Sequence, residues 1–172
     1  MPDAVIVHHT DTTTAPIAGV DDVVRLECAE PSIVFRMEHH AREKGEFIAL
    51  DVDVILQSDL SEVLAMPFDV ALVRSDAKRT HQGFDCGRYC GGLMISRNSL
   101  FWRDIITEAM TEDERLWSGC QRAMDEVSKH YKTLELPESI YGYVPSGNES
   151  WEGKKAVHLK GRVKDMYIEV RK

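Results

Sequence analysis

Phe47-Ile48-Ala49-Leu50-Asp51-Val52-Asp53-Val54-Ile55-Leu56 is an apolar run interrupted by two carboxylates and led in by Gly45. Phe47 to Leu50 is short, continuous and apolar, which predicts a buried strand. Side chains on a strand alternate between faces, so Asp51 and Asp53 are expected side by side where the strand ends. Two like charges that close together are costly unless something positive compensates them. A divalent cation with oxygen ligands is the usual compensation.

Outward from this run, apolar strands alternate with helical patterns. Ala4-Val5-Ile6-Val7-His8 predicts a buried first strand, followed by the polar loop His9 to Thr14. Val23 to Leu26 predicts a second strand. Ser32 opens a helix that ends near Gly45 with Ile33, Val34, Met37, His40 and Ala41 as its apolar stripe. After the aspartates, Ser58 or Asp59 caps a short helix stopped by Pro67, and Val70 to Val73 is the next buried strand. Ser75 to Tyr89 has no period and predicts a long loop. Gly91 to Ser96 predicts a strand, Leu100 to Met110 and Cys120 to His130 helices, and Thr133 to Leu136 and Ala156 to Leu159 strands, with a helix at the C-terminus. Such alternation argues for an α/β layered sheet, whose ligands gather at the carboxyl ends of strands. Asp51, Asp53 and His158 all fall at such ends.

For 172 residues a single domain, 1–172, is expected. No apolar run reaches membrane-spanning length, and the first residues lack the pattern of a signal peptide, so the expected location is cytoplasmic. The net charge of −8 is uneven: Lys154 to Lys172 carries +5 and the first 153 residues carry −13. An acidic body argues against nucleic acid as a partner, since that needs a basic face. The basic tail reads either as a solvated terminal helix or as a holder for a small anion. Four cysteines (Cys28, Cys86, Cys90, Cys120) do not form a disulfide framework in a chain without a leader. Cys86-x3-Cys90 with His81 lacks the second ligand pair of a structural zinc site.

Several chemistries use an Asp-x-Asp triplet. A calcium loop from Asp51 to Glu62 fails, because Ile55 and Leu56 stand where a ligand and a turn-forming glycine are needed. The triplet resembles the first motif of haloacid-dehalogenase-type magnesium phosphatases, but at least one strand precedes it, and Glu112-Asp113-Glu114 is a poor match for their later acidic pair. By itself, the triplet is also compatible with two aspartates capping a turn. The stretch Phe47 to Val63 most resembles the signature of GT-A-type nucleotide-sugar glycosyltransferases of the family-8 kind: an apolar strand, Asp-x-Asp, apolar residues, then an Asp-Leu-Ser-Glu-like helix. Three further pieces follow in the family's order. Tyr89-Cys90-Gly91-Gly92-Leu93-Met94-Ile95 resembles its sugar-pocket strand. Trp117-Ser118-Gly119-Cys120-Gln121 resembles its Gly-Asp-Gln helix start, and His158-x-x-Gly161-x-x-Lys164 its ending.

The resemblance implies a GT-A-like layered α/β/α fold with a mixed, mostly parallel sheet. It also implies a Mn²⁺ or Mg²⁺ ion held by Asp51, Asp53 and His158, and a UDP- or GDP-sugar as partner. A metal and fixed cations stabilise the charge that develops on a diphosphate leaving group, and imidazole suits manganese better than magnesium. His158 is therefore expected within metal-ligand reach of Asp53, 105 residues away. By the same resemblance Asp51-Val52-Asp53 and Gly91-Gly92 line the sugar-nucleotide pocket. Gly161 lets backbone approach the phosphates and Lys164 places a point charge on them. His8, Thr10 and Asp11 meet base and ribose. Arg36 either reaches the diphosphate or sugar or is a surface arginine.

Cys120 stands where the family often has Asp, and Gly91 where it often has Ser or Asn, so donor sugar and chemistry stay open. An inverting enzyme needs a base for the acceptor hydroxyl, for which Asp85, Glu112, Asp113 and Glu114 are candidates. In a retaining enzyme Gln121 lies under the sugar. The chain is shorter than full family members, which implies that acceptor-binding parts are missing or come from another subunit of a homo-oligomer. A degenerate domain that binds a nucleotide without catalysis is the remaining alternative. A sugar-nucleotide pyrophosphorylase is disfavoured, because no Gly-rich phosphate loop follows the first strand.

Overall fold

Val70-Ala71-Leu72-Val73 is apolar at every position, and a strand without a polar face must be covered on both sides. In the computed structural model, which describes residues 3–27, 32–77, 80–81, 84–111, 117–147, 149–160 and 164, all four side chains are fully buried. They belong to β5 (Val70–Arg74), at the centre of a four-stranded sheet with β3 (Phe47–Leu50), β8 (Tyr89–Ser96) and β9 (Thr133–Pro137) in the order β3-β8-β5-β9.

Strand alternation sorts the sheet's side chains into two cores. Val70, Leu72 and Met94 face the long helices α1 (Ser32–Arg42), α3 (Ser99–Thr111) and α4 (Trp117–Val127), packing with Met37, Phe101, Trp102, Ile105 and Met124. Ala71, Val73, Leu93 and Ile95 face the other way, onto Leu60, Val63, Phe68, Leu136 and Tyr141. That second layer is built from the short helices α2 (Ser61–Leu64) and α5 (Glu138–Tyr141) and from a ribbon of β4 (Val54–Leu56) with β10 (Ala156–His158). The result is a layered α/β architecture.

The sheet is mixed, but adjacent strands are not mostly parallel as expected. β8 runs antiparallel to both β3 and β5, and only β5–β9 is a parallel pair in this sheet. β3, β5 and β9 point the same way, and β8 is inserted against them. The first strand also differs. β1 spans Val7–Asp11 and among the described residues pairs with β2 (Asp22–Leu26) alone, in a separate parallel pair. Val5 and Ile6 are 71% and 55% exposed, so the apolar run expected to be buried lies outside the strand. Only His8 and Thr10 turn inward along β1, because a two-stranded pair outside the central sheet is covered on one face.

The expected loop from Ser75 to Tyr89 holds a small antiparallel pair, β6 (Thr80–His81) with β7 (Phe84–Asp85). Asn98 caps α3 by accepting from the Leu100 amide, while Ser96 Oγ accepts from Trp102 Nε1 at 2.8 Å inside the core. Asp59 accepts from the Ser61 amide at the start of α2. The helix expected at the C-terminus lies outside the described residues apart from Lys164. Among the described residues no helix is long and apolar enough to cross a membrane.

Candidate metal centre

Asp51 and Asp53 are brought together by a turn, not by strand alternation. β3 stops at Leu50, the Val54 amide donates to the Asp51 carbonyl at 3.0 Å, and β4 begins at Val54. The turn leaves Val52 77% exposed and turns the two carboxylates inward, both partly buried. β10 pairs antiparallel with β4 so that His158 lies opposite Val54, and the Leu159 amide donates to the Asp53 carbonyl at 2.8 Å. That register carries the buried His158 ring to the aspartates. Its Nε2 is 3.2 Å from Asp53 Oδ1 and 3.8 Å from Asp51 Oδ2.

One ligand atom from each of Asp51, Asp53 and His158 lies within 4.8 Å of the others. Two ligands of one Mg²⁺ or Mn²⁺ ion cannot be much more than about 4.2 Å apart, twice a metal–oxygen bond of about 2.1 Å. Both measured His158 separations meet that limit. Two hard carboxylates with one imidazole suit a six-coordinate divalent cation of the manganese type, so the residues fit the group. These three could hold a metal ion.

The β8 strand shapes the floor of the site. Its register with β5 breaks between Leu72 and Val73, which leaves Gly91 to Leu93 without partners on β5. Such a bulge releases backbone groups for other bonds. The Gly92 carbonyl accepts from the Asp51 amide at 2.9 Å. The Gly91 carbonyl accepts from Arg36 Nη2 at 2.7 Å, while Arg36 Nη1 pairs with Asp51 Oδ1. Gly92 also has a steric role. A Cβ built there would lie 2.3 Å from Nδ1 of His158, so the ring occupies the space a side chain would fill.

Cations balance the two aspartates. Arg36 holds Asp51, and Lys164 Nζ is 3.3 Å from Asp53 Oδ2. Arg36 is steadied from behind, since its Nε donates to His40 Nε2 at 3.2 Å. Burial, aided by the nearby Arg36 charge, lowers the His40 pKa from 6.5 to about 3, so this imidazole is neutral and able to accept. It is packed against Phe47 and Trp102.

Other residues singled out from the sequence stand apart from this cluster. Asp11 is a partly exposed carboxylate whose two oxygens accept from the amides and hydroxyls of Thr13 and Thr14, and those bonds hold its pKa well below the usual range. His8 Nδ1 accepts from the Ile17 amide at 3.2 Å, and both His8 and Thr10 are buried along β1. Asp85 Oδ1 accepts from the Gly87 amide. Gln121 is 98% buried, and its Oε1 has no hydrogen-bond partner among the described residues. Asp113 and Gly161, with the alternatives Glu112 and Glu114, lie outside the described residues. Sequence reasoning missed His40, because a histidine within an apolar stripe looks like packing. It also missed the link from Arg36 to Asp51, for which sequence spacing holds no signal.

The fold is similar to that of a solved structure, the glycosyltransferase GlyE of Streptococcus pneumoniae TIGR4, with a TM-score of 0.54 at 13% sequence identity over 86% of this chain. The match covers 46% of GlyE, so the chain spans about half the length of that protein. At this identity the likeness is one of fold alone. No protein-family model matches the chain, and no curated protein matches it in sequence.

Proposed function

We propose that the chain is a metal-dependent glycosyltransferase that moves a sugar from a nucleotide-diphosphate sugar, UDP- or GDP-linked, to an acceptor hydroxyl. The observation that carries this reading is the convergence of Asp51, Asp53 and His158, from two ends of the chain, on a fold similar to a glycosyltransferase's. A bound divalent ion would supply Lewis-acid stabilisation of the departing diphosphate.

The chain's own residues do the positioning. Arg36 fixes one carboxylate and the Gly91 carbonyl together, so the Asp51 side chain is oriented in advance. Lys164 is a compact charge on a flexible stem. It rests on Asp53 and is the cation able to move onto a diphosphate when a metal takes that carboxylate. In a retaining mechanism Gln121 would be the residue under the sugar. Asp85 and Asp113 remain the candidate bases of an inverting one. Val52, Gly92 and Gly161 would approach the donor through backbone, and His8, Thr10 and Asp11 would meet base and ribose.

The test is thermal melting with a panel of UDP- and GDP-sugars, with and without Mn²⁺ or Mg²⁺. The melting temperature should rise only when sugar nucleotide and metal are both present, and Asp53→Ala should remove the rise. No rise across the panel sinks the reading. A second reading is a nucleotide-binding domain without catalysis. A metal-dependent shift without transfer to any acceptor supports it. Hydrolysis of a simple phosphate ester, lost in Asp51→Asn, would instead support a magnesium phosphatase.

A further inference from the structure

An open cleft of about 580 Å³ lies at the far end of the β4–β10 ribbon from the aspartates. It is lined by Gln57 and Ser58, which follow β4, and by Glu149, Trp151, Glu152 and Lys154, which precede β10. The Gln57 amide donates to the Lys155 carbonyl at 2.9 Å, so the ribbon continues to the cleft. Gln57 is four residues from Asp53, about 13 Å along a strand. The cleft is therefore separate from the metal centre but on the same ribbon.

Its chemistry is specific. One wall is the half-buried indole of Trp151, and the rim offers an amide, a hydroxyl and a carboxylate from the exposed Gln57, Ser58 and Glu152. An aromatic face meets the apolar C–H face of a sugar ring, and a mixture of donors and acceptors meets its hydroxyls. The formal charges in the lining balance. Its cations are already engaged: Lys154 Nζ lies 4.4 Å from the centre of the Tyr143 ring, and Lys155 pairs with Glu62 at 2.9 Å. An anionic ligand thus has no open counter-charge here. The segment that precedes Trp151 is braced. Glu149 accepts from the Ser146 amide at 2.6 Å and from the Tyr143 hydroxyl at 2.7 Å, and these bonds lower its pKa and keep it ionised. An aromatic wall with a few placed polar groups is the anatomy of a small-molecule site.

We propose that this cleft binds a neutral oligosaccharide and anchors a glycan acceptor whose reactive end extends along the ribbon toward the aspartates. Its role as an acceptor anchor rests on the glycosyltransferase reading; binding of the saccharide does not.

The experiment uses the full chain in EDTA, without sugar nucleotide, on an array of neutral and acidic glycans, followed by titration calorimetry with the bound oligosaccharides. At least one neutral oligosaccharide should bind. Trp151→Ala should weaken it by at least about tenfold, Trp151→Phe by less, and Gln57→Ala several-fold with an unchanged melting temperature. Asp53→Ala should leave it unaltered. No binding to any neutral glycan, stronger binding to acidic ones, or binding indifferent to Trp151→Phe and Gln57→Ala each overturns the proposal. Glycan binding without a metal-dependent sugar-nucleotide shift overturns the glycosyltransferase reading and leaves the cleft standing. The reverse pattern overturns the cleft alone.

Discussion

The His158 imidazole occupies the place where Gly92 would carry a side chain: a Cβ on Gly92 would come within 2.3 Å of Nδ1. The ring is buried between the β8 bulge and Asp53, so neither backbone has room to give. Gly92→Ala should therefore push His158 off the aspartates. Overpacking of this kind costs about 1–3 kcal/mol. The metal-dependent rise in melting temperature should fall to that of His158→Ala. A variant that keeps the full rise contradicts this steric coupling.

Arg36 acts as a fork between Asp51 and the Gly91 carbonyl. Arg36→Lys cannot span both acceptors, because an ammonium is a point charge. Asp51 is about a third exposed, so solvent screens the pair, and a loss of only about 1 kcal/mol is expected for Arg36→Ala. Urea unfolding should show a lower midpoint with an unchanged slope, and Arg36→Lys should recover little of it.

A metal ion held by Asp53 would compete with Lys164 for that carboxylate. The lysine is 42% exposed and 3.3 Å from Oδ2, so the pair is worth roughly 0.2–1 kcal/mol. Lys164→Ala should tighten Mn²⁺ binding a few-fold when no sugar nucleotide is present, by calorimetry, and the gain should shrink as salt rises. Under the proposed function the same variant weakens sugar-nucleotide binding. Unchanged or weaker Mn²⁺ affinity argues against competition.

Acid should loosen the support behind Arg36. The folded His40 pKa is about 3 against an ordinary 6.5. Between these values the unfolded chain holds a proton that the folded chain does not, so this stability is whole above pH 6.5 and is lost as pH falls toward 3. Charges on Arg36, His9 and His39 all act in that direction. His39 is lowered too, mainly by burial. The urea midpoint of wild type should fall below pH 6.5 more steeply than that of His40→Gln, which still accepts from Arg36 Nε but does not titrate. Parallel pH profiles would remove His40 from this role.

Much of the central fold was legible because it is coded by period and punctuation. Val70 to Val73, Gly91 to Ser96 and Thr133 to Leu136 read as strands, and each lies in one of β5, β8 and β9. Where the reading failed, local pattern was overruled by partner choice. Val5-Ile6-Val7 has the composition of a buried strand, but β1 begins at Val7 and among the described residues finds only β2, so the apolar run stays exposed. The direction of β8 was equally hidden, since a strand buried on both faces has the same composition either way round.

By itself the sequence determined that two carboxylates follow an apolar strand, of which the fold buries only Ala49 fully and leaves Leu50 39% exposed, and that a histidine, a glycine and a lysine stand at fixed spacing near the other end. These are local facts of residue type and separation. Only the tertiary structure decided that His158 reaches Asp53, that Arg36 rather than solvent holds Asp51, and that Gly92 is small because an imidazole needs its space. The reason is physical. Those contacts arise from the β4–β10 register and the β8 bulge, pairings between distant strands whose choice depends on how the whole core packs and not on any spacing along the chain.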